Sequence, residues 1–260
     1  MLSGKINGSD DAQPLSRKRR GRVLARIQRR YRTVTETIPI GPLRIEFTRV
    51  AEPDAVLDQI VEEEDRREKL SGRRRESDEL RLPYWAELWD SAVGLGVFLA
   101  DSTPTPGTTL DLGCGMGLAG TVAASMGHHV LMGDLEPDAL LFARLNSLPF
   151  ASRVRTRRLN WQRDRLDERF DLVLGADVLY DKTQWDHLEP FWRAHLKTRG
   201  TVLLGEPGRQ TGDLFIDWIQ ARGWQLQQVN VAATERSKAI RIFVLRDVRA
   251  KKYGHSVDAV

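Results

Sequence analysis

The sequence predicts an α/β domain on a doubly wound, mostly parallel sheet, preceded by a strand–helix extension. Three observations carry that expectation. Runs of strand length occur at 108–113 ("TTLDLG"), 129–134 ("HVLMGD"), 153–160 ("RVRTRRLN"), 170–177 ("FDLVLGAD") and 200–206 ("GTVLLGE"), and helical-period segments at 117–126, 137–148, 183–197 and 211–222 alternate with them. Two further strands, near 224–232 and 239–246, are joined by six residues, too few for a crossover helix, so that pair is expected to be antiparallel. With 260 residues, 41% of them hydrophobic and seven Trp, the chain has ample material for a packed core.

Ahead of this body the texture differs. Residues 1–16 are rich in Gly, Ser, Asn, Asp, Gln and Pro and are expected to be disordered. From Arg17 to Arg32 the segment is basic, with Val23, Leu24, Ile27 and Tyr31 at helical spacing. Residues 1–32 carry a charge of +8, which leaves −4 on the rest of a chain whose net charge is +4. Two readings of the basic segment stand: a docking arm for nucleic acid or an acidic surface, or an arm packing one apolar edge on its own domain. "TETIPIGPLRIEFTRV" (35–50) alternates as two short strands around Gly41-Pro42. Residues 53–70 are expected to form a helix, with Pro53 in its first turn and Val56, Leu57, Ile60 and Val61 as one stripe. Residues 71–81 read as a charged linker. The expected organisation is therefore a tail (1–32), an extension with its linker (33–81) and a main domain (82–260).

Several classes are disfavoured by composition. The longest uncharged run, 112–133, holds six glycines and two histidines, which suits no membrane span, and the N-terminus lacks the apolar core of a secretory signal. Cys114 is the only cysteine, so neither an intrachain disulfide nor a cysteine metal cluster is expected, and a cytoplasmic location fits. The five histidines share no ligand spacing and read as surface or capping residues.

Chemistry concentrates at the ends of the expected strands. In "DLGCGMGLAG" (111–120), Gly113, Gly115 and Gly117 let the backbone turn tightly and approach a ligand. The spacing is Gly-x-Gly-x-Gly; Leu118 stands at the third position of a dinucleotide fingerprint, and the Lys-Ser/Thr of a triphosphate loop is absent. Asp134 ends the next strand, seventeen residues after Gly117, where a carboxylate can accept both hydroxyls of a ribose or cap the following helix. Farther on, "GADVLYD" (175–181) ends an apolar strand on Asp177, with Tyr180 three residues later. That pair is either a loop cap beside a core ring or the polar lip of a pocket.

The glycine loop, Asp134 and the pair Asn160-Trp161 resemble the cofactor site of class I S-adenosylmethionine-dependent methyltransferases. The resemblance implies a Rossmann-like seven-stranded sheet with its last strand antiparallel. It also implies that Asp111 and Gly113 lie along the methionine part of S-adenosylmethionine, with Asn160 and Trp161 beside adenine. A narrower resemblance covers roughly 82–209. "LPYWAELWDSAVGLGVFL" (82–99) with "DVLYD" is similar to the seven-β-strand protein-lysine methyltransferases, and "GEPGR" (205–209) to those acting on the electron-transfer flavoprotein β subunit. It implies that Trp85 and Trp89 wall the cofactor site, that Ala176 adjoins it, and that Asp177 and Tyr180 form the acid-x-x-aromatic signature. The chain departs from that group in its basic tail and at Glu206, where the group has Asp.

The expected reaction is methyl transfer to an amine, most readily a protein lysine. Asp177 would orient the incoming ammonium and Tyr180 would wall the alkyl chain. Enzymes acting on exocyclic base nitrogens or glutamine amides typically place Pro-Pro between the corresponding acid or amide and the aromatic residue; here Val178-Leu179 stand there. A small-molecule or RNA N-methyltransferase is the alternative, and a non-catalytic binding module on the same fold a third reading.

Overall fold

The structure is a computed structural model that describes residues 12–71, 82–233 and 238–249. Helix α1 (Ala12–Gln28) leads into a hairpin of β1 (Thr33–Ile40) and β2 (Leu43–Val50), then helix α2 (Pro53–Ser71). After a 3-10 turn at Tyr84–Ala86, the main body runs α3 (Asp90–Ser102), β3 (Thr108–Leu112), α4 (Leu118–Ser125), β4 (His129–Asp134), α5 (Pro137–Asn146) and β5 (Val154–Arg158). It continues with β6 (Phe170–Ala176), α6 (Trp185–His195), β7 (Leu196–Glu206), α7 (Gln210–Ala221), β8 (Trp224–Ala232) and β9 (Ala239–Asp247).

The hairpin is a separate two-stranded sheet; the main sheet has seven strands in the order β5-β4-β3-β6-β7-β9-β8. Strands β5, β4, β3, β6 and β7 pair in parallel, and β9 runs antiparallel to both of its neighbours, β7 and β8. The expected sheet is therefore observed. Successive residues alternate between its two faces, as the pleat requires. Leu172, Leu174, Leu203, Ile242 and Val244 join the core under α3, α4 and α5. Val173, Val202, Leu204, Phe243 and Leu245 join the core that holds Trp185, Phe191 and Phe215 of α6 and α7.

The N-terminal elements share the first of these cores. Ile27, Ile38, Ile40, Phe47 and Val50 are buried in one cluster with residues of α3, α4 and α5. The apolar edge of the basic segment packs on its own domain. Val23, Leu24 and Tyr31 lean on the core, while Arg17, Lys18, Arg19, Arg22 and Arg26 face outward. The disorder expected over 1–16 falls mostly outside the described residues, and the helix already runs from Ala12. The expected linker is likewise helical at Ser71 and otherwise lies outside them.

One expectation needs correction, and one helix went unread. In α2 only Val56 of the predicted stripe is buried; Ile60 is half-buried, and Leu57 and Val61 are exposed. Helix α3 was not legible, since Gly94 and Gly96 lower helix propensity and its burial runs nearly all round. The glycines have a packing reason: a Cβ on Gly94 would lie 2.7 Å from Ile240 of β9.

Candidate active site

The sheet order reverses between β3 and β6, so the loops after β3, β4, β5, β6 and β7 gather along one edge, the place where such sheets bind ligands. At its centre lies the glycine loop. Gly113, Gly115 and Gly117 all have left-handed backbone (φ 67°, 52° and 84°), which explains why glycine occupies these positions. A Cβ on Gly113 would lie 3.1 Å from Val178 and 3.6 Å from the Trp161 ring, so the loops after β5 and β6 converge there. A Cβ on Gly117 would strike Ala143 of α5 at 2.8 Å; that glycine serves close packing.

Asp134 is positioned by backbone amides. Its Oδ2 accepts from the Gly115 N–H (2.8 Å) and its Oδ1 from the Glu136 N–H (2.9 Å), tying loop and strand end together as α5 begins. Burial pushes this carboxyl up to about 6, against the downward pull of those amides. Each oxygen keeps a lone pair for a further donor. Asp111 behaves differently from the expectation. It is 1% exposed and accepts from the Gly120 N–H (2.9 Å) of α4, so it fastens the loop from beneath. Burial, with the nearby Asp134 charge, pushes it up to about 7 although the Gly120 amide opposes the shift. Burial beside the same two carboxylates pushes the Cys114 thiol up, which leaves it a small loop residue with no activated thiolate.

The adenine-side pair is split. The Trp161 ring stands by Gly113, its Nε1–H donating to Gln184 (3.1 Å). Asn160 turns its carbonyl oxygen into its own loop, accepting from the Gln162 N–H. The two early tryptophans also part. Trp89 donates from Nε1 to the Tyr84 carbonyl (2.9 Å), and its ring lies 6.5 Å from Tyr84. The Trp85 ring packs instead on Tyr31 (5.4 Å) and Phe142 (5.8 Å), leaving its backbone carbonyl nearest Gly115. Trp85 sits in the 3-10 turn and Trp89 caps α3, so the two rings do not share one helical face.

Beyond Ala176, which pairs with Gly205 across β6 and β7, the chain turns sharply at Asp177. Its backbone is left-handed (φ 55°), held by its N–H to the Gly205 carbonyl (2.9 Å). Such a conformation is uncommon outside glycine, tolerated best by Asn and Asp, and concentrates at functional sites. The carboxylate is 8% exposed, and its Oδ2 accepts from Arg209 (2.8 Å). Burial pushes Asp177 up to about 6; Arg209 opposes the shift and Glu206 adds to it. Half-exposed Tyr180 meets Tyr84 edge-on at 5.5 Å, and Arg209 lies 5.7 Å over the Trp89 ring. A buried carboxylate is thus joined through Arg209 to a cluster of the Tyr84, Trp89 and Tyr180 rings.

Sequence reasoning missed four contributors: Arg209, Tyr84, Gln184 and Tyr31. Arg209 and Tyr84 lie inside the two motifs already singled out, "GEPGR" and "LPYW", but nothing in their spacing shows what each touches. Two histidines were misjudged. His128 hydrogen-bonds Thr109 (2.9 Å) and His195 accepts from the Leu166 N–H (2.9 Å); both are buried, and burial lowers their pKa values, so they are neutral struts. His255 lies outside the described residues.

This fold has counterparts among solved structures. It matches the glycopeptide N-methyltransferase MtfA complexed with S-adenosyl-L-homocysteine at a TM-score of 0.53 and 15% identity, over 61% of this chain and 90% of that one. The likeness shows a Rossmann-like fold. A family model described as lysine methyltransferase matches residues 79–221, more than half of the sequence, and the chain belongs to that family. Among curated relatives it is 36% identical over 136 residues to the electron transfer flavoprotein beta subunit lysine methyltransferase of Xenopus laevis, covering 49% of this chain and 53% of that protein. It is 35% identical over 139 residues to protein N-lysine methyltransferase METTL21A of Xenopus tropicalis, covering 48% and 60%. The chain thus spans about half the length of the curated relatives it matches.

Proposed function

We propose that this protein transfers a methyl group from S-adenosylmethionine to the side-chain nitrogen of a lysine in a protein substrate. The observation that carries the reading is the convergence on Gly113 of the Trp161 loop and of the loop that opens with Asp177. It sets the Trp161 ring and the Val178 side chain, next to buried Asp177, against the glycine loop in a chain of the lysine methyltransferase family, which supports a cofactor and acceptor site there. The residues fit the cofactor: the glycine backbone leaves a cradle that side chains would fill, and Asp134 keeps lone pairs for ribose hydroxyls. Bound there, S-adenosylmethionine supplies a methyl group on a sulfonium sulfur, open to one in-line displacement by a nitrogen lone pair.

The remaining work belongs to this chain. A lysine has a free pKa of about 10.4, so only about one molecule in a thousand is neutral at pH 7.4. Tyr84, Trp89 and Tyr180 offer its alkyl stem an apolar mouth that sheds water and favours the neutral amine. Asp177 accepts a hydrogen bond from the nitrogen and aims its lone pair. The phenol pKa of Tyr180 is raised, first by burial, then by the neighbouring Tyr84 and nearby aspartates, so Tyr180 stays a neutral donor. The proton lost on methylation passes to water, since a carboxyl near pKa 6 is a weak base toward an ammonium.

The outward basic face of α1 is proposed to meet an acidic surface, with binding that weakens as salt rises. Methyl-labelled S-adenosylmethionine incubated with lysate tests the main reading. Label should survive nuclease, vanish with protease and be recovered as methyl-lysine after hydrolysis; label in a protease-resistant fraction alone would sink it.

A further inference from the structure

We infer that Arg209 is the positioning residue of the acceptor site: it holds one oxygen of Asp177 and keeps that carboxylate charged, leaving the other oxygen for the substrate amine. The inference rests on the lysine-transfer reading and names the group that makes Asp177 usable near neutral pH.

The geometry is built for this. Arg209 reaches Asp177 Oδ2 at 2.8 Å, while the Asp177 backbone is fixed by Gly205, so the carboxylate is gripped from both ends. The arginine is itself held. Buried Glu206 (2% exposed) accepts the backbone N–H groups of Gly208 and Arg209, which folds the loop after β7 into a tight turn. Arg241 of β9 bonds Glu206 and also donates to the Arg209 carbonyl (2.9 Å). The guanidinium rests over the Trp89 ring, which edges the proposed mouth. Four elements therefore converge on one ion pair.

Among the described residues, three charged or titratable groups act on or stand beside Asp177. Glu206 adds negative charge from β7, Arg209 adds positive charge from the following loop, and Tyr180 stands on its own loop. Without Arg209, burial and Glu206 would act unopposed and Asp177 would take a proton at higher pH. A protonated Asp177 would no longer accept from the amine. A lone carboxylate without Arg209 would also hold the substrate as a charged ammonium. In the paired state Asp177 and Arg209 are together neutral, so the amine meets a hydrogen-bond acceptor rather than a full counter-charge. Both effects push the acid limb of the rate profile the same way.

The test follows Asp177 directly and by turnover. Carboxyl-labelled aspartate NMR, with Asp177→Asn identifying the signal, gives its midpoint in wild type, Arg209→Gln and Arg209→Lys. The midpoint should rise by about 1 unit or more in Arg209→Gln and return most of the way in Arg209→Lys. The acid limb of kcat should move with it, so that Arg209→Gln loses more rate at pH 6.5 than at 8.5. An unmoved midpoint, or a uniform rate loss at every pH with intact melting behaviour, would overturn the inference. So would a lower KM with faster turnover in Arg209→Gln, which would make Arg209 an occupant blocking the amine. A wild-type protein that shifts as expected on titration yet methylates no lysine would instead overturn the lysine-transfer reading, and the positioning role with it.

Discussion

Asp177 combines a left-handed backbone (φ 55°) with a carboxylate that is 8% exposed and paired to Arg209. Two substitutions separate the backbone role from the chemical one. Asp177→Asn keeps the shape and the tolerance for that backbone but cannot carry charge. It should cost about ten- to a hundred-fold in single-turnover rate with little change in melting temperature. Asp177→Gly relaxes the backbone further and should be equally inactive without being less stable. Loss of activity that tracks loss of stability in both would return Asp177 to the scaffold. Asp134 makes a pH-dependent forecast. Its free-state pKa is pushed up to about 6, and only the ionised form accepts from both ribose hydroxyls. Affinity for S-adenosylhomocysteine, measured by calorimetry, should therefore fall as pH drops through about 6, and Asp134→Asn should be weak with no such dependence. These residues were legible because each ends a strand with a polar group where an apolar run stops. Their partners were not: Arg209 lies 32 residues from Asp177, and no local pattern announces a contact that the sheet creates.

Among the elements, α1 shows how composition misleads. Its charge invites the picture of a docking arm standing off the body, yet Ile27 is 1% exposed and, just past the helix, the Tyr31 ring packs on Trp85 and Phe142. The Tyr31 hydroxyl donates to Asp138 in the first turn of α5, only four residues after Asp134. Truncation at Thr33 should therefore disturb the ligand cleft as well as the surface. It opens a core position worth about 2–5 kcal/mol, so the melting temperature should fall by roughly 5–15 °C and cofactor affinity should weaken. Unchanged calorimetric affinity and melting after truncation would restore the arm standing off the body. The apolar spacing of Val23, Leu24 and Ile27 did point to this packing, but four apolar residues among so many arginines could not say what they pack against. Helix α3 failed for the opposite reason: buried nearly all round, it has no polar face to mark its period.

At the scale of the whole molecule, alternation of strands and helices was enough to anticipate the parallel sheet, and one short connection was enough for the antiparallel pair. How the N-terminal hairpin joins that sheet was beyond local pattern, because the join is made by long-range polar contacts. Asn146, at the end of α5 and 2% exposed, accepts from the Thr48 N–H (2.8 Å) and donates to the carbonyls of Thr48 (3.0 Å) and Met116 (2.9 Å). One amide thus ties β2 of the small sheet to the glycine loop of the large one. Together with the shared core, this predicts that extension and domain unfold as one cooperative unit. Wild-type unfolding should then give one transition, coincident by far-UV and near-UV circular dichroism and by loss of cofactor-analogue binding. Asn146→Ala leaves three backbone groups buried without their partner, at about 1–3 kcal/mol for each that water cannot reach. The variant should melt several degrees lower, still in one transition, and bind S-adenosylhomocysteine more weakly because Met116 belongs to the glycine loop. Two separated transitions in the wild type would make the hairpin a domain of its own. An Asn146→Ala protein with lower stability but unaltered cofactor affinity would confine Asn146 to the scaffold and cut the proposed link between hairpin and cleft.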